Sequence, residues 1–140
     1  MKIIIGSDHA GFDLKKEVID YLTKLEFEII DKGTYSSDSV NYPDFAHAVA
    51  KSVAKTKDYL GILICGSANG VCITANKHKN IRAAIAWHPE IAELARQHNN
   101  ANILCLPARY LNKKKAMTIV TAYLDAEFEG GRHQTRIDLI

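Results

Sequence analysis

The residues best suited to chemistry lie in the segment ILICGSANG at positions 62–70. Cys65 ends an apolar run there, and a loop with two glycines and Ser67 follows it. Glycines let the backbone approach a ligand closely, and successive amides at a helix start can bind an oxyanion or a phosphate. The same dipoles favour a thiolate at Cys65. The alternative is a small buried cysteine at the end of a strand.

The same loop does not fit one common use of such a cysteine. A phosphatase of the C-x5-R type needs an arginine six residues after its cysteine, and this chain has Val71 there. Valine cannot clamp a phosphate with paired hydrogen bonds as arginine does. The loop is therefore better suited to a developing oxyanion than to a phosphoryl group.

Three residues outside the loop could transfer protons or bind a polar ligand. Asp8 and His9 follow the first apolar run. An aspartate there could simply cap the next helix, whereas His9 beside it can face the same crevice. His98, in the run RQHNN, either interacts with a helix C-terminus or performs acid–base chemistry, because imidazole titrates near neutral pH.

Arginines that could hold a phosphate occur in two places. Arg132 and Arg136 are four residues apart, which puts both guanidinium groups on one face of a helix. They would repel each other unless an anion lies between them, and a solvated tail is the alternative. Arg109 follows the last strand and would be a third member of this group. The planar guanidinium is well suited to phosphate because it donates two hydrogen bonds at once.

Short apolar runs alternate with amphipathic stretches along the chain, which predicts strands that alternate with helices. The predicted strands are residues 2–6, 27–31, 60–65, 81–87 and 102–106. The predicted helices cover residues 14–25, 43–53, 71–76, 89–98, 113–128 and 132–140. This order predicts an α/β fold: a Rossmann-like three-layer α-β-α sandwich with a five-stranded parallel sheet. Ligands bind beyond the carboxyl ends of such strands, where Asp8, Cys65 and Arg109 are expected.

Composition narrows the class of protein further. The 140 residues suit one domain, and a net charge of +2 is too small to indicate a nucleic-acid or membrane surface. Cys72 and Cys105 are predicted to lie in the core and Trp87 to pack at the end of a strand. Three cysteines without a CxxC pair argue against disulfides and structural zinc. With no signal peptide and no apolar run of membrane-spanning length, we expect a cytoplasmic protein.

Taken together, these residues make the chain similar to ribose-5-phosphate isomerase type B over nearly its whole length. The resemblance rests on GSDHAGFDLK, DKGTYS, NYPDFA, ILICGSANG, NKHKNIRAA, RQHNNANIL and FEGGRHQTRI. It implies the interconversion of ribose 5-phosphate and ribulose 5-phosphate without a metal or an organic cofactor. The family also contains galactose-6-phosphate isomerase subunits and enzymes acting on allose 6-phosphate, so a six-carbon substrate stays open.

The resemblance also implies roles for individual residues. Cys65 would be the base that moves a proton between C2 and C1, and Ser67 would help move the proton between the two oxygens. His98, with Asp8, would open the furanose ring. The enediolate would be stabilised by the amides of Gly66, Ala68, Asn69 and Gly70. The phosphate and the sugar hydroxyls would be held by His9, Arg109, Arg132, Arg136, Tyr42 and Asn99.

The family pattern implies an assembly as well. The C-terminal arginines of the family reach into a neighbouring subunit, which fits a tail of residues 129–140 hinged on two glycines. We therefore expect a homodimer or a tetramer built from dimers, with active sites shared between subunits. This chain departs from the family at Ala68, where a glycine is frequent, and at Asn100, where aspartate is more usual.

A non-enzymatic phosphate- or nucleotide-binding module on the same sheet is the rival interpretation. A phospho-accepting receiver domain needs an aspartate at the end of the third strand, where this chain has Cys65. It also needs a lysine after the fifth strand, where this chain has Pro107 and Arg109. Saturable binding of ATP would favour the module, and turnover of a pentose phosphate would favour the isomerase.

Overall fold

Five parallel strands form one sheet in this computed structural model, which describes residues 1–140. The strands are β1 (Lys2–Ser7), β2 (Glu28–Asp31), β3 (Tyr59–Cys65), β4 (Ala83–Ile85) and β5 (Ile103–Pro107). They lie in the order β2-β1-β3-β5-β4, and every neighbouring pair is parallel. Because β1, β3 and β5 are adjacent, the segments that follow them meet at one edge of the sheet.

Helices cover both faces of the sheet. They are α1 (Phe12–Lys24), α2 (Tyr42–Val53), α3 (Asn69–Ala75), α4 (Pro89–Asn99), α5 (Lys113–Asp125) and α6 (Arg132–Ile137). Helices α1, α4 and α5 contribute to the core on one face of the sheet, and α2 and α3 to the core on the other. This arrangement confirms the predicted three-layer sandwich, and α6 packs outside it against α4.

The central strands are apolar on both faces because both faces are buried. In β1, Ile3 and Ile5 join the core beneath α1, α4 and α5, whereas Ile4 joins the core beneath α2 and α3. Burying one such side chain contributes about 2 kcal/mol. These strands therefore form a rigid base beneath the loops at their carboxyl ends.

The largest differences from the sequence-based expectation lie at β4, α5 and α6, and α6 ends at Ile137 rather than at residue 140. Strand β4 spans Ala83–Ile85 rather than residues 81–87, because the Asn102 side chain accepts the hydrogen bond of the Arg82 amide. Trp87 lies beyond the strand with 57% of its surface exposed, so its predicted packing role is wrong. Helix α5 ends at Asp125 rather than at Phe128, since Ala126 adopts an extended backbone.

The cysteines and the helices agree with the remaining expectations. All three cysteines are free, and Cys72 and Cys105 are buried in the core as predicted. None of the helices is long and apolar enough to cross a membrane. The cytoplasmic location stays a prediction.

Candidate active site

Cys65 and Asp8 lie in contact at the carboxyl edge of the sheet. Strand β1 ends at Ser7 beside Ile64, so Asp8 follows β1 at the level where Cys65 ends β3. The Cys65 thiol donates a hydrogen bond of 3.0 Å to Oδ2 of Asp8. The other carboxylate oxygen accepts a bond of 3.0 Å from the amide of Gly11. Asp8 therefore both holds the turn before α1 and contacts the thiol, which combines the two roles considered from the sequence.

Gly11 allows this close approach. A Cβ atom built at Gly11 would lie 2.5 Å from the carbonyl oxygen of Ile64, so no larger residue fits there without movement of the backbone. The amide of Asp8 donates to the same carbonyl oxygen at 3.3 Å. The turn before α1 is thus held against the end of β3. Asp8 is buried there, with only 5% of its surface exposed.

The surroundings of Cys65 favour the neutral thiol. Burial raises the pKa of Cys65 to about 11, and the hydrogen bond to Asp8 and the negative charge of Asp8 add to the increase. The amides of Gly66 and Ala68 act in the opposite direction but are outweighed. The amides at the helix start therefore stabilise the thiolate as expected, but burial and Asp8 have the larger effect on the pKa of Cys65.

Replacing Asp8 with asparagine tests this balance. Loss of the carboxylate charge removes a contribution that disfavours the thiolate, so the pKa of Cys65 should fall from about 11. The pH midpoint of iodoacetamide alkylation at Cys65, followed by peptide mass spectrometry, should move to lower pH. Asp13→Asn, on the exposed side of α1, is the control and should not move it. An unchanged midpoint in Asp8→Asn would show that Asp8 does not control the thiol.

The glycine-rich loop after Cys65 turns sharply into α3. Ala68 is buried and has φ 64°, a left-handed conformation that costs a non-glycine residue about 1 kcal/mol. The Ser67 hydroxyl accepts hydrogen bonds from the Asn69 amide at 3.4 Å and from the Asn69 side chain at 3.2 Å. Ser67 is exposed at the edge of the sheet, so its hydroxyl is accessible to a ligand.

Two further candidates contact the glycines of this loop. A Cβ atom at Gly66 would lie 3.0 Å from a guanidinium nitrogen of Arg109, and the amide of Arg109 donates to the carbonyl oxygen of Gly66 at 3.1 Å. The ring of Tyr42 occupies the space that a side chain at Gly70 would need. The glycines therefore leave room for an arginine and a tyrosine above the loop.

His9 lies on the same edge, next to Asp8. Its Nδ1 accepts a hydrogen bond of 3.2 Å from the amide of Val40. The loop that carries Val40 is tied to the sheet by reciprocal bonds, from the Ser7 amide to the Gly33 oxygen at 2.7 Å and from the Thr34 amide to the Ser7 oxygen at 2.8 Å. The carboxyl edge thus brings together Asp8, His9, Tyr42, Cys65, the residues 66–70 and Arg109. We call this group the thiol edge.

The remaining candidates lie at the opposite edge of the sheet. Helix α4 runs back from the carboxyl end of β4, so His98 and Asn99 lie near the start of β5. The register pairs Ile103 with Gly61 and Pro107 with Cys65, and four strand residues span about 13 Å. Within one chain, His98 therefore does not reach Asp8.

Helix α6 belongs to this second group. It packs on α4, with Arg132 and Arg136 both exposed. The Asn99 carbonyl oxygen accepts a bond of 2.9 Å from Nε of Arg82. We call His98, Asn99, Arg132 and Arg136 the tail group. The structure therefore divides the predicted site residues into two clusters rather than one.

Two residues to which the sequence assigned no role, Glu129 and His133, lie against His98 of the tail group. The His133 ring stacks on the His98 ring, with centroids 4.2 Å apart and planes 10° apart. Oε2 of Glu129 lies 3.8 Å from Nε2 of His98 and 3.4 Å from Nε2 of His133. The spacing of Glu129 and His133, four residues apart in EGGRH, was the available signal.

These three side chains form the one cluster of donors that could hold a metal ion. An imidazole binds a metal through a lone pair in the plane of its ring. Since the two rings are nearly parallel and stacked, their lone pairs lie in two separate planes. A single ion cannot lie in both planes without a movement of one ring, so the arrangement fits a stacked pair better than a metal centre.

The fold and the thiol edge define the class of this protein: an α/β protein with a free thiol, an amide-rich loop and a guanidinium at the carboxyl edge of its sheet. The profile of the ribose/galactose isomerase family matches residues 3–140. The chain belongs to this family, which makes it an isomerase.

Characterised relatives cover almost the whole chain. The chain is 46% identical over 139 residues to ribose-5-phosphate isomerase B of Escherichia coli, spanning 99% of this chain and 93% of that protein. A crystal structure of ribose 5-phosphate isomerase from Thermotoga maritima superposes with a TM-score of 0.96 at 48% identity, covering 99% and 95% of the two chains. The structure of the Mycoplasma genitalium enzyme with bound ribulose-5-phosphate gives 0.96 at 48% identity, covering 99% and 92%.

Proposed function

We propose that this chain interconverts ribose 5-phosphate and ribulose 5-phosphate through an enediolate, with Cys65 as the base. The observation that carries the proposal is the Cys65–Asp8 hydrogen bond at the start of the amide-rich loop. It places a group able to exchange a proton beside donors able to stabilise an oxyanion. The similar enzyme from Mycoplasma genitalium, solved with ribulose-5-phosphate, supports the choice of substrate.

The chemistry requires one proton to move between two carbon atoms. The Cys65 thiolate removes the proton from C2 of the open-chain aldose, and the electron pair moves to the carbonyl oxygen O1. Amides of the loop stabilise the negative charge, an effect worth a few kcal/mol for each donor. Ser67 relays a proton from O2 to O1, and the Cys65 thiol, which can exchange its proton with water while the enediolate exists, delivers a proton to C1. The product is the ketose, and the enzyme is unchanged.

The resting thiol must first lose its proton. In the isolated chain the pKa of Cys65 is raised to about 11 by burial and by Asp8. Positive charges near the sulfur would lower this pKa, since they stabilise the thiolate. Arg109 beside Gly66 is one such charge, and the tail group supplies the rest when a second chain brings it to the thiol edge.

We propose that the active site is shared between two chains, in a homodimer or a tetramer built from dimers. The tail group lies on the wrong edge of its own sheet to meet the thiol edge. A two-fold axis can bring the tail group of one chain to the thiol edge of the other, and it does so twice. Residues 129–140 would reach the partner, where Arg132 and Arg136 bind phosphate together with His9 and Arg109.

In the shared site the sugar would lie between the two groups. Tyr42 of one chain and Asn99 of the other would hydrogen-bond the sugar hydroxyls, and His98 would protonate the ring oxygen to open the furanose. The cavities of the single chain agree with an incomplete site. The largest, of about 740 Å³, lies between α1 and α5 and contains none of the candidate residues.

A substrate panel tests the proposed function. The purified chain should isomerise ribose 5-phosphate with a much higher kcat/KM than allose 6-phosphate or galactose 6-phosphate. A preference for a six-carbon sugar phosphate would correct the substrate and retain the site. Saturable binding of ATP with no turnover of any sugar phosphate would favour the non-enzymatic module and reject the isomerase.

Replacing Arg136 with alanine should weaken the grip on the phosphate. A charge-assisted hydrogen bond contributes about 2 kcal/mol, so KM for ribose 5-phosphate should rise at least about tenfold, with a smaller effect on kcat. Thr135→Ala, also exposed on α6, is the control and should keep the wild-type KM. An unchanged KM in Arg136→Ala, measured by steady-state kinetics, would remove Arg136 from the phosphate site.

A further inference from the structure

The stacked histidines join two elements with separate tasks in the proposed site. His98 lies near the end of α4, and His133 is the second residue of α6, between the exposed Arg132 and Arg136. The amide of Glu129 donates a bond of 3.0 Å to the carbonyl oxygen of Gln97. The stack and this bond attach the arginine-bearing helix to the end of α4.

His133 is buried although its helix is short and exposed. Only 6% of the surface of His133 is exposed, and its Nε2 makes no hydrogen bond of good geometry, although Oε2 of Glu129 lies 3.4 Å away. An unpartnered polar atom is costly to bury, so stability alone does not account for a histidine at this position. What the ring supplies is a flat face parallel to the ring of His98.

The charges around the pair favour a neutral His133 ring. The titratable and charged groups that face His133 are His98 on α4, Glu129 in the loop, and Arg132 and Arg136 on its own helix. Burial lowers the pKa of His133, and His98 and both arginines lower it further, while Glu129 acts in the opposite direction. Nε2 of His98 lies 3.8 Å from Oε2 of the same carboxylate, so Glu129 contacts both rings of the stack.

We propose that His133 and Glu129 are positioning residues for His98: His133 fixes its ring plane by stacking, and Glu129 places a carboxylate beside both rings. The two residues also keep His98 and the arginines of α6 together, so that ring-opening acid and phosphate clamp enter the partner's site as one unit. This inference rests on the proposed function, in which His98 opens the sugar ring.

Two reactions distinguish a positioning role of His133 from a general effect on the structure. Turnover of ribose 5-phosphate needs ring opening, whereas ribulose 5-phosphate has no furanose form because its O5 carries the phosphate. Exchange of a C1 hydrogen of ribulose 5-phosphate with D2O therefore needs the thiol edge but no ring chemistry. His133→Ala should lower kcat for ribose 5-phosphate about tenfold and leave the exchange rate at saturating ribulose 5-phosphate within about twofold of wild type.

Conservative and control variants complete this test. His133→Phe keeps a flat ring for the stack and should restore most of the turnover, and Thr135→Ala on the same helix should behave as wild type. Unchanged turnover in His133→Ala would overturn the proposal. Equal losses of turnover and exchange would overturn it too, since they would indicate a purely structural role.

Glu129→Gln tests the electrostatic part independently of turnover. Glu129 raises the pKa of His133, so loss of its carboxylate should move the NMR-detected titration of the His133 ring to lower pH. Glu127→Gln, exposed in the same loop, is the control. An unshifted His133 titration would overturn the contact of Glu129 with the stacked pair, and this readout stands even if ribose 5-phosphate proves not to be the substrate.

Discussion

We expect Cys65→Ala to lower kcat for ribose 5-phosphate by about a thousandfold or more, because Cys65 is the group that takes the C2 proton in the proposed mechanism. Asp8 contacts the sulfur rather than the space above the loop, and the Ser67 hydroxyl is a much weaker acid than a thiol. Cys65→Ser should be nearly as slow for the same reason. Steady-state kinetics with each purified variant measures both effects.

The same variant should keep its fold and its hold on phosphate. Cys65 is only partly buried, and the groups proposed to bind phosphate are basic side chains elsewhere. The circular dichroism spectrum of the variant should match that of wild type. Its dissociation constant for inorganic phosphate, measured by calorimetry, should match as well. Cys72→Ala, in the adjoining helix, is the matched control and should turn over normally. Turnover near the wild-type rate in Cys65→Ala would exclude Cys65 as the base.

The second prediction with a large expected effect concerns heterodimers: two variants that are inactive alone should regain activity when one chain of each forms a dimer. Cys65→Ala inactivates the thiol edge, and His98→Ala inactivates the tail group. In a dimer with one chain of each kind, one site combines two intact groups and the other combines two defective ones. A heterodimer isolated with two affinity tags should therefore show about half of the wild-type kcat.

A heterodimer that cannot complement provides the control. Cys65→Ala combined with Cys65→Ser places a defect at the thiol edge of both chains, so both sites stay inactive. A wild-type dimer that carries the same two tags gives the reference kcat. A Cys65→Ala/His98→Ala heterodimer without activity, with its composition verified by mass spectrometry, would show that the sites are not shared in this way.

The sequence predicted the positions of the strands well because a parallel sheet leaves a clear pattern. Strands β1 and β3 are continuous apolar runs, since both of their faces are buried. The pattern of apolar residues does not predict the order of the strands in the sheet. The insertion of β5 between β3 and β4 depends on pairing between distant segments. Strand β4 was predicted too long because, just before its start, the Arg82 amide donates to the side chain of Asn102.

The thiol edge was predictable for a topological reason. Residues that follow adjacent parallel strands lie at the same edge of the sheet, so the sequence predicts that Asp8 lies near Cys65. The hydrogen bond between them was not predictable, and it adds to the effect of burial, which raises the pKa of Cys65 most. The helix start favours a thiolate, but burial and the Asp8 charge together outweigh it.

The tail group shows the limit of local sequence patterns. The resemblance paired His98 with Asp8, and the structure of one chain separates them by at least the length of β3 between Gly61 and Cys65. A helix that returns along a parallel sheet ends at the opposite edge, so this separation follows from topology. The stack of His133 on His98 depends on how α6 packs against α4, which no local pattern contains.

Isomerisation of ribose 5-phosphate in D2O, followed by NMR, tests the central claim most directly. Proton transfer through Cys65 predicts that ribulose 5-phosphate forms and that deuterium enters at C1 as the reaction passes through repeated turnovers. Cys65→Ser should show neither conversion nor exchange above background. Absence of conversion by the wild-type chain would contradict the proposed function. Conversion to equilibrium with C1 free of deuterium throughout would contradict the enediolate and its base.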